Sequence, residues 1–217
     1  MWVAELWRYP VKSMAGEPLR TAEIQADGIR GDRVVQVRND MSGRTVTSRN
    51  RPGLLGHQGR LDANGEPLVD GRPWRSAEVA RDVVAAAGDG TRLVHFDGTE
   101  RFDILPLLVA TDGAIAAFGY DRRRLRPNIV VGGVPGLAER GWEGRVLRMG
   151  TVVIGVQDLR QRCIMTTFDP DTLDQDVEVL KHIHREFGGA LALNCSVLRG
   201  GTLSVGDAVE LLDHSPQ

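Results

Sequence analysis

The chain has 217 residues, with 27 Lys and Arg against 29 Asp and Glu for a formal charge of −2. That length buries a core without disulfide or metal support, and the near-neutral balance excludes any global attraction to nucleic acid or an anionic membrane, so an anion site must be built locally. No segment approaches a membrane span, and "MWVAELWRYPVKSM" lacks the basic lead and apolar run of a signal peptide; a cytoplasmic protein with no membrane or nucleic-acid partner is expected.

In chain order, short β-branched or aromatic runs predict strands at "VAELWRY", "TAEIQ", "DRVVQVR", "RTVTS", "GRLDANGEPLVD", "RLVHF", "NIVVGG", "RVLRMG" and "VVIGVQDLRQRCIMTT". A last group follows in "LALNCSVLRGGTLSVGDAVELL", where the alternation of "LSVGDAVEL" would pair the C-terminus back into a sheet. Asn39–Gly43 and Asn64-Gly65 are hairpin turn signals, because Asn and Gly tolerate positive φ. Helical periodicity is confined to three stretches. In "SAEVARDVVAAAG", Val79, Val83 and Ala87 share a face; "TDGAIAAFG" offers Thr111 as N-cap; "DVEVLKHIHREFGG" offers Asp176 as N-cap and a stripe of Val179, Leu180, Ile183 and Phe187 before a Gly stop. Many strands and few helices predict a mainly β fold, a β-barrel with peripheral helices. The softest point, "DANGEPLVDGRPWRSAE", divides an N-terminal part, residues 1–85, from residues 86–217, the two sharing one sheet system.

Four stretches carry candidate chemistry. "RYPVKSMAG" sets the cation of Lys12 beside the hydroxyl of Ser13 at a turn, a phosphate-suited pair or a solvated loop. In "GIRGDRVVQV", Arg33 at a strand entry can fork onto a phosphate or simply pair with Asp32. "YDRRRLRPNIVV" holds four arginines, most of them expected to be exposed. Arg126 stands apart, because the proline after it favours an extended backbone that would aim Arg126 and Asn128 to one side. In "QRCIMTTFDPD", Arg162 beside Cys163 favours the thiolate that binds soft metals, while a small buried thiol is the competing reading. Cys163 and Cys195 form neither a CxxC pair nor a zinc set, and no disulfide is expected. The histidines His57, His95, His182, His184 and His214 are scattered, and hydrolase, zincin and nucleotide-loop signatures are absent.

Taken in order, "YPVKS", "GDR", "FDxxP", "RPNIVV", "RCxxTTxDPDT" and "VGDxVEL" resemble the MOSC family with its N-terminal β-barrel part, the group that includes the mitochondrial amidoxime-reducing component and the YcbX-like proteins. The resemblance covers nearly the whole chain and implies a molybdenum cofactor, a pterin dithiolene with a phosphate tail. On that resemblance Cys163 ligates molybdenum; Lys12, Ser13 and Arg33 hold the phosphate; Arg126 and Asn128 contact the pterin, flanked by Arg162; and Asp103 is an acidic residue near the metal, counted with Cys163 as catalytic. Gln161 stands where the amidoxime reducers have serine, and Ile104 where a hydroxyl residue is expected, so substrate choice is expected to differ there. Asn194 falls where relatives place an amide near the site, and Cys195 beside it reads as a buried structural thiol. The implied function is an oxidoreductase that reduces N-oxygenated small molecules. With no ferredoxin-like cysteine set in the chain, its electrons must come from a separate partner, of the ferredoxin and flavin-reductase or haem-protein type. The alternative is a cofactor or sulfur carrier without turnover.

Overall fold

The computed structural model describes residues 1–213, and His214 lies outside them. Eight strands form the largest sheet: β1 (Trp2–Arg8), β2 (Glu17–Leu19), β3 (Leu107–Thr111), β4 (Ile129–Gly132), β5 (Val146–Met149), β6 (Val152–Gln161), β7 (Ala190–Arg199) and β8 (Glu210–Leu212). Their order across the sheet is β8-β5-β6-β7-β3-β4-β1-β2, all neighbours antiparallel except β3 and β4. Three smaller sheets of three strands complete the β structure. The fold is therefore mainly β, as expected. Among the described residues the sheets are not closed into the complete barrel expected, although Ala208, just before β8, bridges back to Trp2 of β1.

Both expected hairpins form, at the Asn39–Gly43 turn between Val35–Asn39 and Thr45–Val46 and at Asn64-Gly65 between Gly59–Leu61 and Pro67–Val69. The closing "LSVGDAVEL" splits in two: Gly201–Ser204 pairs with Thr21–Gln25, and β8 pairs with β5. The three helices are α1 (Ala77–Ala87), α2 (Asp112–Phe118) and α3 (Val177–Phe187). Thr111 caps α2 by accepting from the Ala114 N–H, and Asp176 caps α3 by accepting from Glu178. Gly119 and Gly188 end these helices in the left-handed conformation that glycine adopts without Cβ strain. The stripe on α3 buries Val179, Ile183 and Phe187, with Leu180 at its margin.

Three apolar clusters divide the interior. One lies under the large sheet, one joins α1 to Val11, Met14 and Val35, and one joins α2 and α3 to Leu125. Every catalytically interesting segment is anchored in one of them: Val11 and Met14 bracket Lys12 and Ser13, Leu125 precedes Arg126, and Leu159 leads toward Cys163. No helix of the described residues is long and apolar enough to cross a membrane.

Candidate functional site

Beyond β1 the chain is clamped to the segment after Ile29. The Tyr9 N–H donates to Asp32 Oδ1 at 2.7 Å, Arg33 N–H to the Tyr9 carbonyl at 2.8 Å, and Lys12 N–H to the Val35 carbonyl at 2.8 Å. A further bond from Val35 N–H to the Pro10 carbonyl, at 3.1 Å, makes the pairing continuous. This clamp sets Lys12 and Ser13 beside Arg33. Both Ser13, at φ +74°, and Arg33, at φ +56°, take left-handed backbone that ordinary residues avoid. Arg126 does the same at φ +56°, which corrects the extended conformation expected before Pro127. The reason is tertiary: a short helical turn over Arg122–Arg124 leads into it, and its guanidinium lies 4.4 Å from the Tyr9 ring centroid and donates to the Met14 carbonyl at 2.7 Å. Three strained, non-glycine residues thus converge on one place, a signature of function rather than of packing.

That place is a cleft of about 620 Å3, including its open mouth, lined by Lys12, Ser13, Arg33, Asp103, Arg126, Gln161, Arg162 and Cys163. Sequence reasoning singled out all eight. Arg49, Arg124 and Arg160 also line it, so one lysine and six arginines face a single carboxylate. Arg160 was legible in principle, because it stands two residues from Arg162 on a strand. Arg49 sits in a loop after Thr45–Val46 and carries no local signal. The arginine run after Tyr120 is not the exposed face expected of it. Arg122, Arg123 and Arg124 are half-buried, and each is paired, with Glu5, with Asp121 and Asp171, and with Asp169 respectively.

Asp103 gathers the cations. It accepts from Lys12 Nζ at 2.8 Å, Arg49 Nη2 at 2.7 Å and Arg160 Nη2 at 3.2 Å. Burial pushes its carboxyl up, but Lys12 first, then Arg49 and Arg160, outweigh it and hold the group at about 2. Asp103 is therefore an ionised anchor at neutral pH rather than a proton donor. Because its pKa is depressed from the ordinary 3.8, its stabilising effect is complete above that value and is lost as pH falls through about 2. Partial exposure and solvent screening trim the effect to about 1–2 kcal/mol. Melting temperatures measured from neutral pH down to the acid limit should show this loss in the parent and not in Asp103→Asn.

Three of the cleft cations are held against their preference. Burial lowers Lys12 and Arg126, and burial followed by repulsion from Arg160 holds Arg162 at about 10. Arg162 donates Nη2 to the Leu125 carbonyl at 2.7 Å, yet its buried Nε has no partner. Crowded, desolvated cations with a free donor are what an incoming anion relieves. Cys163 is half-buried at the start of a tight turn, Ile164–Thr167, its carbonyl accepting from both the N–H and the hydroxyl of Thr166. The paired threonines thus fold the chain behind the cysteine, leaving its thiol on the cleft wall. Among the described residues no group of three His, Cys, Asp or Glu could hold a bare metal ion, so a metal at Cys163 must bring further ligands with it.

Two predicted residues stand outside the cleft lining. Asn128 is buried behind it, its Nδ2 donating to the Trp7 carbonyl and to Asp32 Oδ2 at 3.3 Å each, its Oδ1 accepting from Leu108 N–H. Asn194 donates to Asp158 at 2.6 Å and accepts a long bond from Arg160, at 3.4 Å. Both hold the wall that carries the cations. Cys195 is fully buried in the core of the large sheet, burial raising its thiol, and both cysteines are free.

Comparison with known proteins places this geometry in a family. The model of the MOSC N-terminal beta barrel domain matches residues 1–92, and that of the MOSC domain matches residues 113–210. Mitochondrial amidoxime-reducing component 1 of Homo sapiens is 28% identical, over 97% of this chain and 82% of its own length; the human amidoxime reducing component 2 is 27% identical, over 95% and 82%. The crystal structure of the YUAD protein from Bacillus subtilis superposes with a TM-score of 0.50 at 14% identity, covering 99% of this chain and all of that one, a likeness of fold. With two successive domain models matched along the chain and these relatives spanning nearly all of it, the protein is a member of the MOSC family.

Proposed function

We propose that the cleft binds a molybdenum cofactor and that the protein is an oxidoreductase acting on N-oxygenated small molecules with electrons from a separate donor protein. The observation that carries the reading is the convergence of one lysine, six arginines and the Cys163 thiol on a single cleft whose only carboxylate is already engaged. The residues fit the group. A phosphate tail is complementary to Lys12, Ser13 and Arg33, the unpartnered Arg162 Nε is a donor in want of an acceptor, and a thiolate suits a soft metal. When bound, the cofactor supplies the redox and oxygen-atom chemistry.

The chain's own part is binding and orientation. Lys12 and Arg33 neutralise the anionic tail, with Ser13 adding a directed hydroxyl from its left-handed turn. Arg126 and Arg162 offer guanidinium faces and edges to a flat polar ring system, and Cys163 offers its sulfur to the metal. Asp103, ionised and shared among Lys12, Arg49 and Arg160, ties those three cations together at the cleft wall. Gln161, exposed at the end of β6, lines the cleft and is a side chain an approaching substrate meets, while Ile104, exposed beside Asp103, is not part of the cleft lining.

The names of the amidoxime-reducing relatives support a small N-hydroxylated substrate and an electron-transfer partner. The test is direct. Protein purified from a host that makes the cofactor should carry molybdenum and pterin in near-equal amounts, and should reduce an N-hydroxylated amidine with an artificial electron donor. Loaded protein that turns over nothing but passes its cofactor rapidly to an apo-enzyme would instead make it a carrier.

A further inference from the structure

Arg124, Arg126 and Met165 have a second side. Beyond them lies another chamber, of about 790 Å3 including its mouth. Trp7, Tyr9 and Phe168 give it aromatic walls, and Leu55, Pro18 and Gln58 border its opening. The polar atoms of two of those rings are engaged elsewhere. Tyr9 donates its hydroxyl to the Pro127 carbonyl at 3.1 Å, and Trp7 donates Nε1 to Glu5 at 2.7 Å, so both present ring surface alone. Gly16 makes room for this: a Cβ there would come within 2.5 Å of both the Tyr9 ring and the Arg8 carbonyl.

One end of the chamber is cationic. Arg123 is fully satisfied by Asp121 and Asp171. Arg126 has no carboxylate within 4 Å among the described residues, its guanidinium bonding only the Met14 carbonyl and lying over Tyr9. Arg124, with its side chain only 8% exposed, donates to Asp169 and to the Thr166 carbonyl through its terminal nitrogens, while its buried Nε has no partner. Flat apolar walls ending on an excess positive charge define a ligand class.

We propose that this chamber is a second small-molecule site, for a flat aromatic carboxylate whose ring lies among Trp7, Tyr9 and Phe168 and whose carboxylate meets the cationic end formed by Arg124 and Arg126. The site lies across the shared wall of Arg124, Arg126 and Met165 from the cationic cleft, and the argument for it does not use the cofactor reading.

Calorimetric titration of the full chain with cinnamate, and with cinnamyl alcohol as its neutral counterpart, tests it. The acid should bind at least about tenfold more tightly than the alcohol. Leu55→Trp and Gln58→Trp, two substitutions at the mouth that fill it from different sides, should each weaken cinnamate at least about tenfold in protein whose melting temperature is unchanged. Cys163→Ser, which addresses the cationic cleft alone, should leave cinnamate affinity within about twofold. Equal binding of acid and alcohol, no binding of cinnamate, indifference to both mouth variants, or loss of cinnamate binding in Cys163→Ser would each overturn the proposal.

Discussion

Cys163→Ala protein from a cofactor-producing host is expected to contain at least about tenfold less molybdenum than the parent, measured per chain by elemental analysis. The reasoning starts from what the side chain does not do. Its thiol makes no hydrogen bond among the described residues, and the turn behind it is held by the backbone carbonyl and the two threonine hydroxyls, which alanine leaves in place. The variant should therefore fold, melting close to the parent temperature. Under the proposed assignment, in which Lys12, Arg33, Arg126 and Arg162 would hold the pterin, pterin should fall less than the metal. Removal of Lys12 or Arg33 should do the reverse, lowering metal and pterin together because the phosphate loses its counter-charge. Equal molybdenum in Cys163→Ala and parent would sink the ligand assignment.

The second large effect concerns Asp32, which touches no part of the cleft's open space. Its carboxylate is fully buried, accepts from the Tyr9 N–H and from Asn128, and pairs with Arg33. Asp32→Ala removes three contacts at once and strands the Arg33 guanidinium beside a hydrophobic methyl. Breaking a buried pair from one side costs about 3–5 kcal/mol. For a chain of this length that lowers the melting temperature by roughly 10 °C. Asp32→Asn, which keeps an oxygen for the Tyr9 N–H, should lose distinctly less. Thermal unfolding followed by circular dichroism separates the two, and a parent-like melt for Asp32→Ala would refute the clamp as the element that positions Lys12 and Arg33.

Much of this molecule was legible in order along the chain, and the reasons differ by level. Hairpins at Asn39–Gly43 and Asn64-Gly65 follow from local turn chemistry, and the caps of α2 and α3 from single hydroxyl and carboxylate side chains. Local causes give local signals. The open sheets were not readable, since whether the edge strands β2 and β8 meet depends on twist and register summed over the whole sheet. The same holds for the cleft. Lys12, Ser13, Arg33 and Cys163 belong to short motifs, whereas Arg49 joins them only through a salt bridge to Asp103, more than fifty positions away. Arg126 shows the limit of a local rule: Pro127 biases it toward extended backbone, and the contacts with Tyr9 and Met14 override that bias. Asn128 and Asn194 carry the right chemistry for ligand contact, but both spend their amides on neighbouring chain.

The clamp between Tyr9–Lys12 and Arg33–Val35 is a product of the first forty residues, whereas the thiol and its arginines arrive more than a hundred residues later, and Asp103 lies between the two stretches matched by the family models. Neither half alone has a cleft to offer. During synthesis the emerging N-terminal half would have its cationic turn without a thiol, and the cleft lining would be complete only once the segment through Met165 was in place. A ligand that bound only the finished chain would add its binding free energy to the stability of both halves at once.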